Sequence, residues 1–125
     1  METLPCSAIV YRAMSRKKWI NPETHQIQPA AFIRRPPPAD DSGLSVNIES
    51  PRSCHKTLNQ CHGVASLHVG RVRDLRLNVV VDASRHADIA GLPRREDDRT
   101  EAEHLASLLA QQARIVPPDQ YLDSA

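Results

Sequence analysis

The sequence predicts a single α+β domain: a twisted, mostly antiparallel sheet of five or six short strands with two packed helices. Three observations carry that expectation. Short segments rich in Val, Ile and Leu recur along the chain with the alternation of half-buried strands. Gly43 to Gly63 reads as a strand feeding into a short helix, and the stretch from about Glu101 to Arg114 as an amphipathic helix. The length of 125 residues supplies one hydrophobic core and not two, so residues 1–125 are expected to form one domain.

Composition narrows the function classes. Sixteen Lys and Arg against fifteen Asp and Glu leave no field for a bulk polyanion, so any nucleic acid or anionic ligand has to be held locally. With Trp19, Phe32, Tyr11 and Tyr121 as the whole aromatic set, a stacking platform for single strands is not expected. No apolar run approaches the roughly 18 to 20 residues of a bilayer span, which predicts no membrane association. Three cysteines without a basic leader and apolar core ahead of them point to a reducing, cytoplasmic setting.

Taken in order, residues 7–14 alternate Ile9, Tyr11 and Ala13 against Val10, Arg12 and Met14, a first strand. Arg12 is the odd member of its face, and either snorkels to solvent or is held in a cleft for an anion. A basic patch at Ser15 to Lys18 leads into a loop or hairpin with a turn at Asn21 to Thr24, and Trp19 anchors it on the body. Ala30 to Arg34 reads as a short second strand, stopped by Pro36-Pro37-Pro38 and followed by a proline-rich loop over 36–43. Arg34 and Arg35 stand at its base, where with Arg12 they would suit a phosphate or pyrophosphate through bidentate contacts.

Leu44, Val46 and Ile48 alternate with Ser45 and Asn47 as the third strand. Ser50 is then the expected N-cap, Pro51 the first helical residue, Cys54, Leu58 and Cys61 one helix face, and Gly63 the closing residue. Val64 to Val69 form a fourth strand with Ser66 and His68 on its polar face, followed by a turn or single helical turn. Leu77 to Asp82 form a fifth strand, and His86 to Ile89 a short edge strand. Thr100 with Glu103 three residues later predicts a capping box for a last helix, whose stripe is Ala102, Leu105, Ala106, Leu109 and Ala113. Pro117-Pro118 stops it, and the tail over 119–125 is expected to be loose.

Cys54-His55 and Cys61-His62 invite a zinc reading. Seven residues apart on a helix, however, the thiols lie about 10 Å apart along its axis, too far to share one tetrahedral ion, and no metal site is assigned. A Cys–His nucleophile has no flanking signature, and no glycine-rich phosphate loop or HExxH is present. His68, Ser66, Ser45 and Asn47 would instead line a polar cleft with Arg12 at one end, if their strands share a face.

YRA on the first strand, GLSVNIESPRSCHKTL as strand, capped turn and helix, then ASLHV and LNVVV, resemble RES-type toxin domains and, more distantly, RNA 2'-phosphotransferases. Both have the ADP-ribosyltransferase-like fold, and the matching part runs from about Tyr11 to Asp82. The resemblance implies a small bacterial domain, of toxin type, with a cleft for NAD or another phosphorylated ribose. Arg12 would clamp the phosphate with Arg34 and Arg35 in support, and Ser45 and His68 would carry the chemistry. RES domains bear a glutamate in the helix after the central strand, where this chain has Cys54, His55 and Lys56. His68 or His86 would have to stand in for it. The alternative expectation is a non-catalytic module that binds another protein.

Overall fold

The computed structural model describes residues 4–34, 43–48, 50, 62–83, 85–117 and 119. Its frame is one antiparallel sheet of six strands in the order β4-β5-β2-β1-β3-β6. The strands are β1 (Ile9–Ala13), β2 (Leu44–Asn47), β3 (Val64–His68), β4 (Asn78–Ala83), β5 (His86–Ala90) and β6 (Arg114–Ile115). Among the described residues two α-helices join them, the single-turn α1 (Val69–Arg73) and the long α2 (Arg99–Gln112). The α+β class predicted from the sequence is the class observed. No helix among the described residues is long and apolar enough to cross a membrane.

The registers sort the side chains onto two faces. Val10 is paired with Leu67, Leu44 with Ile89, Val46 with Ala87 and Val79 with Ile89, and all of these are buried. This face is covered by Leu105, Ala106 and Leu109 of α2 and by Phe32, which together with it make the main core. Burying a Leu or Phe side chain contributes about 2 kcal/mol each, and this face holds most of what keeps the domain folded. The opposite face carries Tyr11 beside Asn47 and Ser66, Ser45 beside Asp88, and Asn47 beside His86. Its apolar part is a small cluster of Val64 and Val116 with Tyr11 and Ala13.

Four local expectations are corrected or extended. Ala30 to Arg34 does not form a strand: Pro29–Phe32 is a 3-10 helix with proline at its start, and it docks Ala31 and Phe32 against α2. Proline preset for a helical first turn, followed by two alanines of low strand propensity, outweighs the apolar run. Strand β5 is not an edge; it lies between β4 and β2, and β4 is the edge instead. The N-cap of α2 is Asp98, whose carboxylate accepts from Glu101 N–H at 3.1 Å, while Thr100 lies inside the helix and Glu103 pairs with Arg95 and Arg99. Strand β6 was not expected; it is placed by Val116 N–H donating to Val64 O at 2.8 Å.

The loop between β1 and the 3-10 helix is the hairpin expected, bridged at Ile20 and Ile27. Asn21 Oδ1 accepts from the N–H groups of Glu23 and Thr24 and shapes its turn. The helix expected over Pro51 to Cys61, with Cys54, Leu58 and Cys61, lies outside the described residues, as do the proline-rich loop up to Ser42 and nearly all of the tail.

Candidate functional site

The expected clamp and the expected reactive groups do not share a hollow. Arg12 follows Val10 on the core face, where its Nε donates to Ala31 O at 2.6 Å and its Nη1 to Ser45 O at 2.7 Å. Its guanidinium also lies 5.4 Å from the centre of the Trp19 ring. These contacts pin the 3-10 helix and the hairpin to the place where β1 and β2 separate, for their ladder holds one register pair, Tyr11 with Asn47. Arg34 is placed in the same manner, with Nη1 donating to Leu92 O at 2.9 Å. Arg35 lies outside the described residues.

Ser45 points the other way. Its neighbours Leu44 and Val46 are buried and it is exposed, the alternation expected of a strand with one face in the core. His68 shares that outer face but not the location. It pairs with Ile9, whereas Ser45 falls level with Ala13, so four residues of strand rise, about 13 Å, separate them along the sheet.

What Ser45 does meet is His86. Antiparallel pairing sets Ser45 opposite Asp88 and Asn47 opposite His86, which makes Ser45 and His86 diagonal neighbours on one face. The Ser45 hydroxyl is hydrogen-bonded to His86 Nε2. His86 Nδ1 lies 2.6 Å from Asp82 Oδ1. A neutral imidazole that satisfies both contacts carries its proton on Nδ1, donating to the carboxylate, and accepts at Nε2 from the serine. The side chains of His86 and Asp82 are 37% and 47% exposed, so the array is reached directly from solvent.

Asp82 reaches His86 because β4 is irregular there. Val81 pairs with Ala87 but Ala83, not Asp82, pairs with His86, so one extra residue is inserted between them. A bulge of this kind re-aims a side chain at the rim of a sheet. Asp88 completes the group: among the described residues, Asp82, His86 and Asp88 bring donor atoms within 4.8 Å of one another, which could hold a metal ion. Both imidazole nitrogens already have partners, so an ion would take His86 only by displacing one of them.

Sequence reading placed Ser45 on the correct face and named His86 only as a substitute. Asp82 was missed because the bulge that aims it has no residue signature. A cavity of about 650 Å³ lies elsewhere, between the Ile20–Ile27 hairpin, α2 and β6, lined by His25, Gln28, Ser107, Gln111 and Arg114 among others. In comparisons with known proteins, no family model, no curated protein and no solved structure matches this chain.

Proposed function

We propose that the protein is a hydrolase or acyltransferase that uses Ser45 as nucleophile, His86 as general base and Asp82 to hold the imidazole. The observation that carries this reading is His86, bonded at one nitrogen to a serine hydroxyl and at the other to a carboxylate. That constellation is recognised by geometry and roles, not by fold or chain order. In the step it serves, Ser45 Oγ attacks the carbonyl carbon of an ester or thioester as its proton passes to His86 Nε2. Collapse of the adduct returns that proton to the leaving group, and the acyl group stays on the serine until water or another acceptor attacks. Asp82 keeps the accepting nitrogen aimed at Ser45 and stabilises the imidazolium formed during transfer. Because the serine stands on an accessible sheet face, the reading favours an acyl group that projects from a larger ligand.

Exposure of the full-length chain to a fluorophosphonate probe tests this, since an activated serine displaces fluoride and keeps the phosphonyl group. A single adduct mapping to Ser45 is expected. It should vanish in Ser45→Ala and form at least about 100-fold more slowly in His86→Gln, the scale of general-base assistance. Ser45 labelled no faster than the other serines, or at a rate indifferent to His86→Gln, would overturn the assignment.

The phosphorylated-ribose reading asks instead for Arg12 and Arg34 to face a ligand, whereas Arg12 Nε and Nη1 and Arg34 Nη1 donate to main-chain carbonyls. Thermal stabilisation by NAD or ADP-ribose alongside an inert Ser45 would restore it. An inert Ser45 with no such stabilisation would favour a non-catalytic interaction module.

A further inference from the structure

The cavity beside α2 is separate from the Ser45 array. It lies against β6, which three strand spacings, about 14 Å across the sheet, divide from β2, and α2 forms one of its walls. Its volume of about 650 Å³ falls in the range of pockets for small organic molecules. Two segments shape it. Along α2, Ser107, Ala110 and Gln111 fall on one face at helical spacing, and the small side chains of the first two leave room that larger residues would fill. Opposite them is the hairpin, where His25 holds a left-handed backbone at φ 57°, fixed by its N–H donating to Asn21 O at 2.8 Å. A residue other than glycine held in that region is a feature that gathers at ligand sites.

The ionisable part of the lining is one-sided: among the described residues it holds Arg114 and His25 and no carboxylate. Arg114 Nη1 makes only long contacts, 3.4 Å each, to the carbonyls of Gln111 and Ala113. Among the described residues its Nε and Nη2 have no partner, and these two nitrogens carry the parallel N–H bonds that grip a carboxylate side-on. The Gln111 amide and the Ser107 hydroxyl are also without a hydrogen bond among the described residues. Ile27 and Ile115 supply apolar wall. We propose that this cavity binds a small carboxylic acid with a branched aliphatic body and an adjoining amide, the chemistry shared by an N-acylated amino acid and the last residue of a peptide. Arg114 takes the carboxylate, Gln111 and Ser107 take the amide, and the aliphatic part lies over Ala110 between Ile27 and Ile115. The site stands independently of any activity at Ser45.

Titration of the isotope-labelled full-length chain with N-acetyl-L-leucine, followed by amide NMR shifts, tests this. Saturable shifts at Gln28, Ser107 and Gln111 are expected, with a Kd of about 1 mM, the scale for a ligand of about a dozen non-hydrogen atoms. N-acetyl-L-leucinamide, which differs in lacking the charge, should bind at least about 10-fold more weakly. The acid should lose as much with Arg114→Met, and Arg114→Lys, which keeps the charge without the fork, should fall between. Ala110→Phe should fill the floor and abolish the shifts. N-acetyl-Ala-Ala-Leu binding as tightly as the acid would mark a peptide C-terminus as the natural ligand, and its exclusion a free acid; either result supports the carboxylate site. No saturable shift up to about 20 mM acid, equal binding of acid and amide, or acid binding unaltered in Arg114→Met would overturn the proposal.

Discussion

Arg12 shows how one side chain can be read correctly for type and wrongly for purpose. A guanidinium between Val10 and Met14 requires acceptors, and the alternatives offered by the sequence were solvent or an anion. The fold supplies main-chain oxygens instead, from Ala31 and Ser45, with the Trp19 ring alongside. Those acceptors come from segments that only the tertiary structure brings near β1, which is why they were not legible. Arg12→Met keeps the length and the apolar stem but leaves both carbonyls without this donor. It should lower stability by about 2 kcal/mol in urea denaturation. Ser45, by contrast, was legible as the outward residue between Leu44 and Val46, and His86 as the first residue of a short strand. Their meeting was not, because β2 and β5 are joined by pairing across the sheet and not by a short turn.

At the level of elements, the strands with clean alternation were the most readable. Strand β3 and strand β1 fall where Val64 to Val69 and residues 7–14 place them, trimmed by a residue or two. Ends and short apolar runs were less so. Asp97, Asp98 and Thr100 all suit the start of α2, and the choice among them depends on which oxygen reaches a free N–H; Asp98 does. Asp98→Ala should therefore cost about 1 kcal/mol of stability, and Thr100→Ala much less, in paired thermal melts. The junction at Gly43 is tighter still. A methyl group there overlaps the Ile89 carbonyl oxygen, which is main chain and cannot swing aside. Gly43→Ala should pry β2 from β5, lowering the melting temperature and separating Ser45 from His86, so that probe labelling slows in the same variant.

For the molecule as a whole, hydrophobic patterning was enough to give the class and the packed face, because periodicity records burial and little else. Strand order was not available from it: the short run from His86 to Ile89 reads as an edge strand, and only its pairing with both β2 and β4 puts β5 inside the sheet and β4 at its rim. The core itself is concentrated on one side, with Leu67, Ile89, Leu109 and Phe32 among its largest fully buried members. Leu67→Ala, on β3 beside Val10 of β1 and fully buried, should cost about 2–5 kcal/mol and leave the chain close to unfolding at moderate temperature, as followed by calorimetry.

The extra residue in β4 also governs how the sequence tolerates change in length. Upstream of it, odd-numbered positions of the strand look inward; past it, the assignment is reset. Deleting Ala83 would remove the extra residue and turn the Asp82 carboxylate away from the imidazole, though every functional group was still encoded. In this hairpin spacing is therefore as much a part of the chemistry as residue identity, and a loss of one codon would be more damaging than most substitutions.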